Sequence, residues 1–361
     1  MLCGNPPKAG VGKMLNNGVN RMERKLKVGI IGCGRISVMH LLPAINLKQS
    51  ELVCVCDIKK DRADTVAEQY SVKAYYDYKE MFEKEKLDAV HICLPHHIHV
   101  EVSVYAMEHG LNVLSEKPMS IDYQSAVKAV ATARQCNVKY GVILQCRYND
   151  SAKLVKNVVS SGKLGKVIGA RSTLTWWRPE DVYYLTSDWK GTWDKAGGGV
   201  VLDQAIHSID LVNWIVNSDV EEVSCHLSSR AHKSIDVEDT GEGCITYKNG
   251  VKYVFYCTNN YTCNEPIEIR FHCEKGSVVM DYDNAVIKYD DGTIEEVHVL
   301  DHEEIEGAKD YWGFQHDKQI ENFYNACLGL DQLDISGEEA LKTHKLIFDI
   351  YKIGKKSENC F

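Results

Sequence analysis

The sequence predicts an α/β protein. A doubly wound parallel sheet comes first, followed by an α+β domain with a largely antiparallel sheet. Three observations carry this. Between residues 26 and 142, short apolar runs alternate with amphipathic stretches, as strands and crossover helices do in a parallel sheet. The first apolar run ends in Gly32-Cys33-Gly34, a turn suited to a strand-to-helix junction. Beyond residue 150, Lys248-Asn249-Gly250 and Asp290-Asp291-Gly292 each lie between strand-like runs, and Asn-Gly or Asp-Gly in that setting signals a hairpin.

In the first domain the strands expected are 27–31, 52–56, 89–93, 112–114 and 140–144. The helices expected are 61–70, 98–109 and 121–136, with Ser120 as N-cap of the last. In the second domain a helix is expected over 151–161 and a strand over 167–177. A polar-aromatic loop then runs to Lys195, followed by Gly197-Gly198-Gly199 and an apolar helix over 204–216. The hairpins pair 243–247 with 251–258 and 286–289 with 295–300, and helices at 311–328 and 337–353 close the chain. The division is a tail over 1–25, a nucleotide domain over 26–147 and a substrate and oligomerisation domain over 148–361.

Length and composition restrict the function. At 361 residues the chain suits two domains. Net charge is −9 with Lys and Arg scattered, which argues against nucleic acid as a partner. No apolar run reaches the ~18 residues a membrane span needs. Residues 1–24 lack the apolar centre of a secretory signal; they read as a tail, with Met22 as an alternative start. Gly10-Val11-Gly12-Lys13-Met14 fails as a phosphate loop, because Pro7 and Met14 occupy required Gly and Ser/Thr positions. Of 14 cysteines, Cys54, Cys56, Cys93, Cys257 and Cys273 lie in apolar runs and read as reduced core thiols in a cytoplasm. Cys54-Val55-Cys56 has no second Cys/His pair at zinc spacing, so no metal is expected.

Gly32 permits the tight turn and Gly34 lets backbone approach a pyrophosphate on the helix that begins at Arg35 and Ile36. Ser37 replaces the third glycine. Asp57 ends the second strand, where a carboxylate binds ribose hydroxyls and repels a 2′-phosphate. NAD is therefore the expected cofactor over NADP, with Lys59 and Lys60 leaving dual use open. The bland alternative is a glycine turn that binds nothing.

Lys117 follows a strand in Glu116-Lys117-Pro118, and Asp203 and His207 stand four residues apart after the glycine triplet. On one helix that spacing shares a face. A cation, a carboxylate and an imidazole suit removal of a proton from an alcohol while hydride leaves carbon. The bland alternative is a glycine run followed by an ordinary helix with a polar face. His207, with an ordinary pKa of about 6.5, is the expected base.

In these residues the chain resembles the Gfo/Idh/MocA family of oxidoreductases. The resemblance rests on Gly32-x-Gly34, Pro95-x-x-x-His99, Glu116-Lys117-Pro118, Gly162-Lys163-Leu164-Gly165 and the segment from Gly197 through His207 to Asp210. It implies an N-terminal Rossmann domain and a C-terminal domain whose open sheet mediates homo-oligomers. It implies a cis peptide at Lys117–Pro118 and catalytic roles for Lys117, Asp203 and His207. Pro95, His99, Glu116 and Lys117 would lie beside the cofactor, and His316 would reach the substrate. His96 and His97 are read as rim residues; the competing reading takes the histidines of 96–99 as a metal cluster.

Arg147 and Tyr148 leave the last strand of the first domain. They either face the cleft and bind substrate, or Arg147 pairs with a carboxylate across the domain junction. Trp177, Arg178 and Tyr184 belong to an aromatic-rich loop, read either as a sugar-stacking surface or as loop anchoring and subunit contact. The resemblance extends to the branch that makes 3-keto sugars, so the expected activity is NAD-dependent oxidation of a hexose or glycoside, at C3. The alternatives are an inositol 2-dehydrogenase, a UDP-sugar 3-dehydrogenase, and an NAD-dependent glycosidase acting through a 3-keto intermediate. A non-catalytic regulator on this fold would be expected to have lost Lys117 and His207.

Overall fold

The computed structural model describes residues 24–281, 284–298 and 315–357. The expected tail up to residue 23, the strand end at 299–300 and the helix start at 311–314 lie outside the described residues. Two sheets organise the chain. The first is parallel, built from β1 (Leu26–Ile31), β2 (Ser50–Cys56), β3 (Lys73–Tyr75), β4 (Ala89–Ile92), β5 (Asn112–Ser115) and β6 (Tyr140–Val142) in the order β3-β2-β1-β4-β5-β6. The order reverses between β1 and β4, and that switch point is where α/β sheets place their ligands. β3 was not expected; its three residues are short, polar and half exposed, which leaves no apolar run to read.

The helices around it are α1 (Val38–Asn46), α2 (Lys60–Tyr70), α3 (Tyr78–Lys84), α4 (His99–Glu108) and α5 (Tyr123–Cys136). Ser120 is not the cap of α5. Asp122 accepts the Ser125 N–H at 2.8 Å and is the N-cap, while Ser120 Oγ accepts the Asp122 N–H.

The second sheet has β7 (Val167–Thr175), β8 (Val220–Ser228), β9 (Thr240–Tyr247), β10 (Lys252–Thr258), β11 (Glu268–Cys273), β12 (Gly276–Met280), β13 (Ala285–Tyr289) and β14 (Ile294–Val297), in the order β14-β13-β12-β11-β7-β10-β9-β8. Every pairing is antiparallel except β7 with β10. Both expected hairpins form. Residues alternate between faces: Tyr253, Phe255 and Phe271 are buried, while Val254 and Tyr256 are exposed. The buried face packs on α6 (Asp150–Ser160), α8 (Ile206–Val216) and α10 (Gly337–Ser357).

Two helical elements differ from expectation. The helix expected over 204–216 is split, with α7 covering Val200–Asp203 before α8 begins at Ile206. The final pair includes α9 (His316–Leu328), expected with the second domain. Its Ile320, Phe323 and Tyr324 instead complete the core formed by Val28 and Ile30 of β1 and Leu41 of α1. Among the described residues no helix is long and apolar enough to cross a membrane.

Candidate active site

β1 delivers the chain into Gly32, whose φ is +97°, and a Cβ there would lie 2.2 Å from the Cys93 carbonyl oxygen. Only glycine fits. A Cβ at Gly34 would meet nothing within 4 Å, so the loop is open at the N-terminus of the turn Arg35–Ser37 that feeds α1. Ser37 is buried and its hydroxyl closes the turn by donating to the Gly34 carbonyl at 2.7 Å. Asp57 laces this loop to the end of β2, accepting the N–H groups of Cys33 and Lys59 at 2.8 Å each. A carboxylate offers about four lone pairs, so two remain for ribose hydroxyls. Arg35 is exposed and Ile36 half-buried beside the opening. The open approach at Gly34 and the unused acceptors of Asp57 fit a dinucleotide.

β5 runs directly into Glu116-Lys117-Pro118, and the Lys117–Pro118 peptide is cis. Lys117 Nζ donates to Asp203 Oδ1 at 3.1 Å and to the Asp203 carbonyl at 2.7 Å. Glu116, expected beside the cofactor, is buried. Its Oε2 accepts the Lys117 N–H at 3.1 Å, and its Oε1 meets His40 Nε2 at 3.0 Å and His316 Nε2 at 3.2 Å. Burial alone would raise the Glu116 pKa, but bonds from His316 and His40 outweigh it and hold the carboxyl well below its ordinary range. From His40 the chain of bonds continues to His91, Nδ1 to Nδ1 at 3.0 Å, and on to the Tyr324 hydroxyl of α9 at 3.1 Å.

His99, expected beside the cofactor, has both ring nitrogens bonded to backbone carbonyls. It is buried, with Nδ1 on the Pro118 carbonyl and Nε2 on the Leu94 carbonyl, both at 2.7 Å. It ties the Leu94-Pro95 turn to the cis peptide; Pro95 itself is half-buried at that turn. His96 is no rim residue. It is buried, bonded through Nδ1 to the Ala196 carbonyl at 2.9 Å, packed on Trp189 at 4.5 Å between centroids, and 3.9 Å from Asp203 Oδ1. His97 is exposed. The three histidines of 96–99 thus face different partners and do not converge as metal ligands.

Asp203 and His207 lie on successive helices, with no hydrogen bond between them among the described residues. At the break, Lys117 Nζ bonds the Asp203 carbonyl, the group that in a continuous helix would accept the His207 N–H. Asp203 Oδ2 accepts from the Tyr183 hydroxyl at 2.6 Å and Gln204 Nε2 at 2.7 Å. Burial opposes its charge, but Lys117, His96 and Lys190 prevail and keep it ionised. His207 is buried and its Nδ1 has no partner. Burial, reinforced by Lys117, pushes its pKa down to about 3, well below the ordinary value expected from sequence. His316 is likewise buried with an unpartnered Nδ1, its other nitrogen held by Glu116.

The glycine triplet brings this helix against Glu238, which sequence reading missed. A Cβ at Gly199 would lie 1.8 Å from the Glu238 carbonyl oxygen. The buried Glu238 carboxylate accepts the N–H groups of Gly199 and Val201 at 3.0 Å and the Tyr351 hydroxyl of α10 at 2.7 Å. Burial outweighs those bonds and raises its pKa from 4.5 to about 7. Between those two values the native state holds a proton that the unfolded state has lost, so stability falls as pH rises through the window. The expected result is that wild type, measured against Glu238→Gln by denaturant unfolding, loses on the order of 3 kcal/mol from pH 4.5 to pH 7. A pH-independent difference rules out titration of Glu238 in that range.

The residues expected to touch substrate also make contacts within the protein. Arg147 makes a bidentate pair with Asp210 of α8, at 2.8 and 2.7 Å, and a third bond to Glu339 of α10 at 2.9 Å. The junction reading of Arg147 is the one realised. Tyr148 donates to Asp334 at 2.9 Å. Arg178 is buried over the Trp176 ring at 4.6 Å and donates to Asn264 Oδ1 at 2.7 Å, while Trp177 is half exposed and its N–H bonds the same amide oxygen. Tyr184 is buried and bonded to Asn259, yet it lines the cavity with His96, Trp189, Lys190 and Asp203. The tyrosine that touches Asp203 is its neighbour Tyr183. Nothing in the spacing of a Tyr-Tyr pair distinguishes the two.

Residues 26–144 match the family model for oxidoreductases with an NAD-binding Rossmann fold. Fold and site together therefore define an NAD-binding oxidoreductase acting on a CH–OH group. Residues 152–279 match the Gfo/Idh/MocA C-terminal domain, and the chain belongs to the Gfo/Idh/MocA family. Among its relatives is the myo-inositol 2-dehydrogenase of Thermotoga maritima, 28% identical over 233 residues, 62% of this chain and 66% of that protein. The uncharacterized oxidoreductase YrbE of Bacillus subtilis is 24% identical over 72% of this chain and 75% of its own length. The WlbA dehydrogenase of Bordetella pertussis, solved with NADH and UDP-GlcNAcA, has TM-score 0.80 and 25% identity over 92% of this chain and 98% of its own.

Proposed function

We propose that this chain oxidises a secondary hydroxyl of a hexose or glycoside, at C3, using NAD. The observation that carries the reading is the Lys117–Asp203 pair, in a chain that also has an open dinucleotide loop and two buried imidazoles with unmade bonds. The bound nicotinamide supplies the hydride acceptor. Lys117 stabilises the alkoxide as it develops, and its own charge is balanced by Asp203, which Tyr183 holds in place. His207 is kept neutral by burial, so its imidazole enters the reaction with a lone pair and acts as a transient proton carrier. Glu116 fixes the Lys117 backbone and orients His316 with its free nitrogen toward the same task.

In this proposal residues 26–147 hold the cofactor and residues 148–361 supply the substrate side, with α9 returning to the first core. Ile168, Val254 and Tyr256 leave apolar surface on the outer face of the second sheet, which supports a homo-oligomer formed through that face. The cysteines of the described residues are all free, in keeping with a cytoplasmic location.

The test is a panel of methyl and aryl glucosides, myo-inositol and UDP-GlcNAc, followed by NADH absorbance with the ketone position assigned by NMR. The expected outcome is NADH and a 3-keto product from a hexopyranoside. NADH from myo-inositol alone supports the activity named for the Thermotoga relative instead. Turnover of UDP-GlcNAc alone supports a UDP-sugar 3-dehydrogenase. Aglycone release without net NADH makes the protein a glycosidase.

A further inference from the structure

Five buried groups form one unbroken chain of hydrogen bonds: Tyr324, His91, His40, Glu116 and His316. His40 stands on α1, His91 on β4 and Glu116 after β5, while α9 supplies both ends, His316 as its first residue and Tyr324 about two turns on. The chain has a direction. Ionised Glu116 only accepts, so His40 and His316 both present Nε2–H to its Oε1. Burial favours neutral His40, so its Nδ1 carries a lone pair, and the facing Nδ1 of His91, 3.0 Å away, must carry the proton. Burial favours neutral His91 as well, which leaves its Nε2 to accept from the Tyr324 hydroxyl at 3.1 Å. Burial also keeps that phenol protonated, and Ser50 bonds it to close the chain. The rings pack edge-on, His40 against His91 at 5.1 Å and against His316 at 5.8 Å between centroids, which opposes a flip. At the other end, a neutral His316 with Nε2–H has a bare Nδ1, and that buried atom has no partner among the described residues. His316 lies within electrostatic reach of His207.

We propose that His91 and Tyr324 are positioning residues which, through His40 and Glu116, hold His316 in the tautomer whose Nδ1 accepts a proton. The His91 N–H occupies the one lone pair on which His40 would take a proton. His40 therefore stays neutral, and the charge of Glu116 is left for His316 when its ring becomes an imidazolium. A catalytic imidazole held in the wrong tautomer loses about 10⁴-fold in turnover, so the order of N–H groups along the chain matters to the chemistry. The catalytic consequence rests on the dehydrogenase reading; the tautomers do not.

The test uses the full chain with isotope-labelled histidine, saturated with NAD, and compares wild type with His91→Leu, His91→Asn and Tyr324→Phe. Asn places an amide N–H where His91 Nδ1 stands, and Leu does not. In wild type the imidazole nitrogen NMR shifts are expected to show Nε2–H on His40 and His316 and Nδ1–H on His91. In His91→Leu the His316 nitrogens move toward a mixture of tautomers and kcat falls roughly tenfold or more, with KM for the sugar and NAD affinity unchanged. His91→Asn restores both readings. Tyr324→Phe, which removes one oxygen, moves both in the same direction by less, and it carries the test should His91→Leu not fold. Unaltered His316 shifts in both His91→Leu and Tyr324→Phe overturn the proposal, as do equal losses in His91→Leu and His91→Asn or losses confined to KM. So does the opposite tautomer on any of the three rings. Bare Nε2 atoms on both His40 and His316 would point instead to a metal ion held with Glu116, since ligand atoms of these three residues lie within 4.8 Å of one another. If the protein oxidises no sugar at all, the dehydrogenase reading fails while the nitrogen shifts still decide the roles of His91 and Tyr324.

Discussion

Lys117→Ala lowers turnover by about 10²–10⁴-fold while NAD affinity stays within a few fold of wild type, as expected for a group that acts on the reacting oxygen. The ammonium is the cation that hydrogen-bonds the Asp203 side chain, at 3.1 Å. Removing it leaves the Asp203 carboxylate buried without its ion-pair partner, which carries a separate stability cost. The variant Lys117→Met with Asp203→Asn removes both charges and isolates chemistry from folding. Turnover near wild type in a folded Lys117→Met/Asp203→Asn protein contradicts the assignment. Stopped-flow NADH formation at saturating sugar gives the number directly.

Arg147→Met destabilises the protein by about 3–5 kcal/mol, the range for breaking a buried ion pair from one side. The Asp210 carboxylate loses two bonds from Arg147 and keeps one from the Thr343 hydroxyl at 2.7 Å. Glu339 of α10 loses a partner as well. The melting temperature should fall by roughly 10 °C for a domain of this size, with kcat at low temperature little changed because the guanidinium is engaged by Asp210 and Glu339. A melting shift of a degree or two means that water or a moved side chain satisfies Asp210 without the guanidinium.

The parts legible in sequence are those fixed by local covalent and steric rules. Gly32 was readable because a single residue type fits its φ and the approach of Cys93. Both hairpins were readable because Asn-Gly and Asp-Gly dictate the turn. Asp57 was readable as a residue closing a strand beside a glycine loop. Spacing failed where tertiary contact overrides it. Asp203 and His207 count four apart, but they lie on successive helices, and Lys117, from the segment after β5, bonds the Asp203 carbonyl at the break. Arg147 and Tyr148 lie at the start of the crossover, and no local pattern says that Asp210, Glu339 and Asp334 wait more than sixty residues away. Glu238 stands outside any motif and becomes visible only when Gly199 is seen against it. It acts on the site by accepting the Gly199 and Val201 N–H groups at the start of the helix that carries Asp203.

The brace formed by Glu238 and Tyr351 bears on how the enzyme comes to be made. Tyr351 bonds both Glu238 and the Leu202 N–H at 3.1 Å, and His344 accepts the Met119 N–H beside the cis proline at 2.9 Å. Both residues leave the ribosome after every strand of either sheet has been translated. A nascent chain therefore has every strand in hand before it has the side chains that hold the Gly199–Leu202 segment and the cis-proline turn, so the centre is completed last.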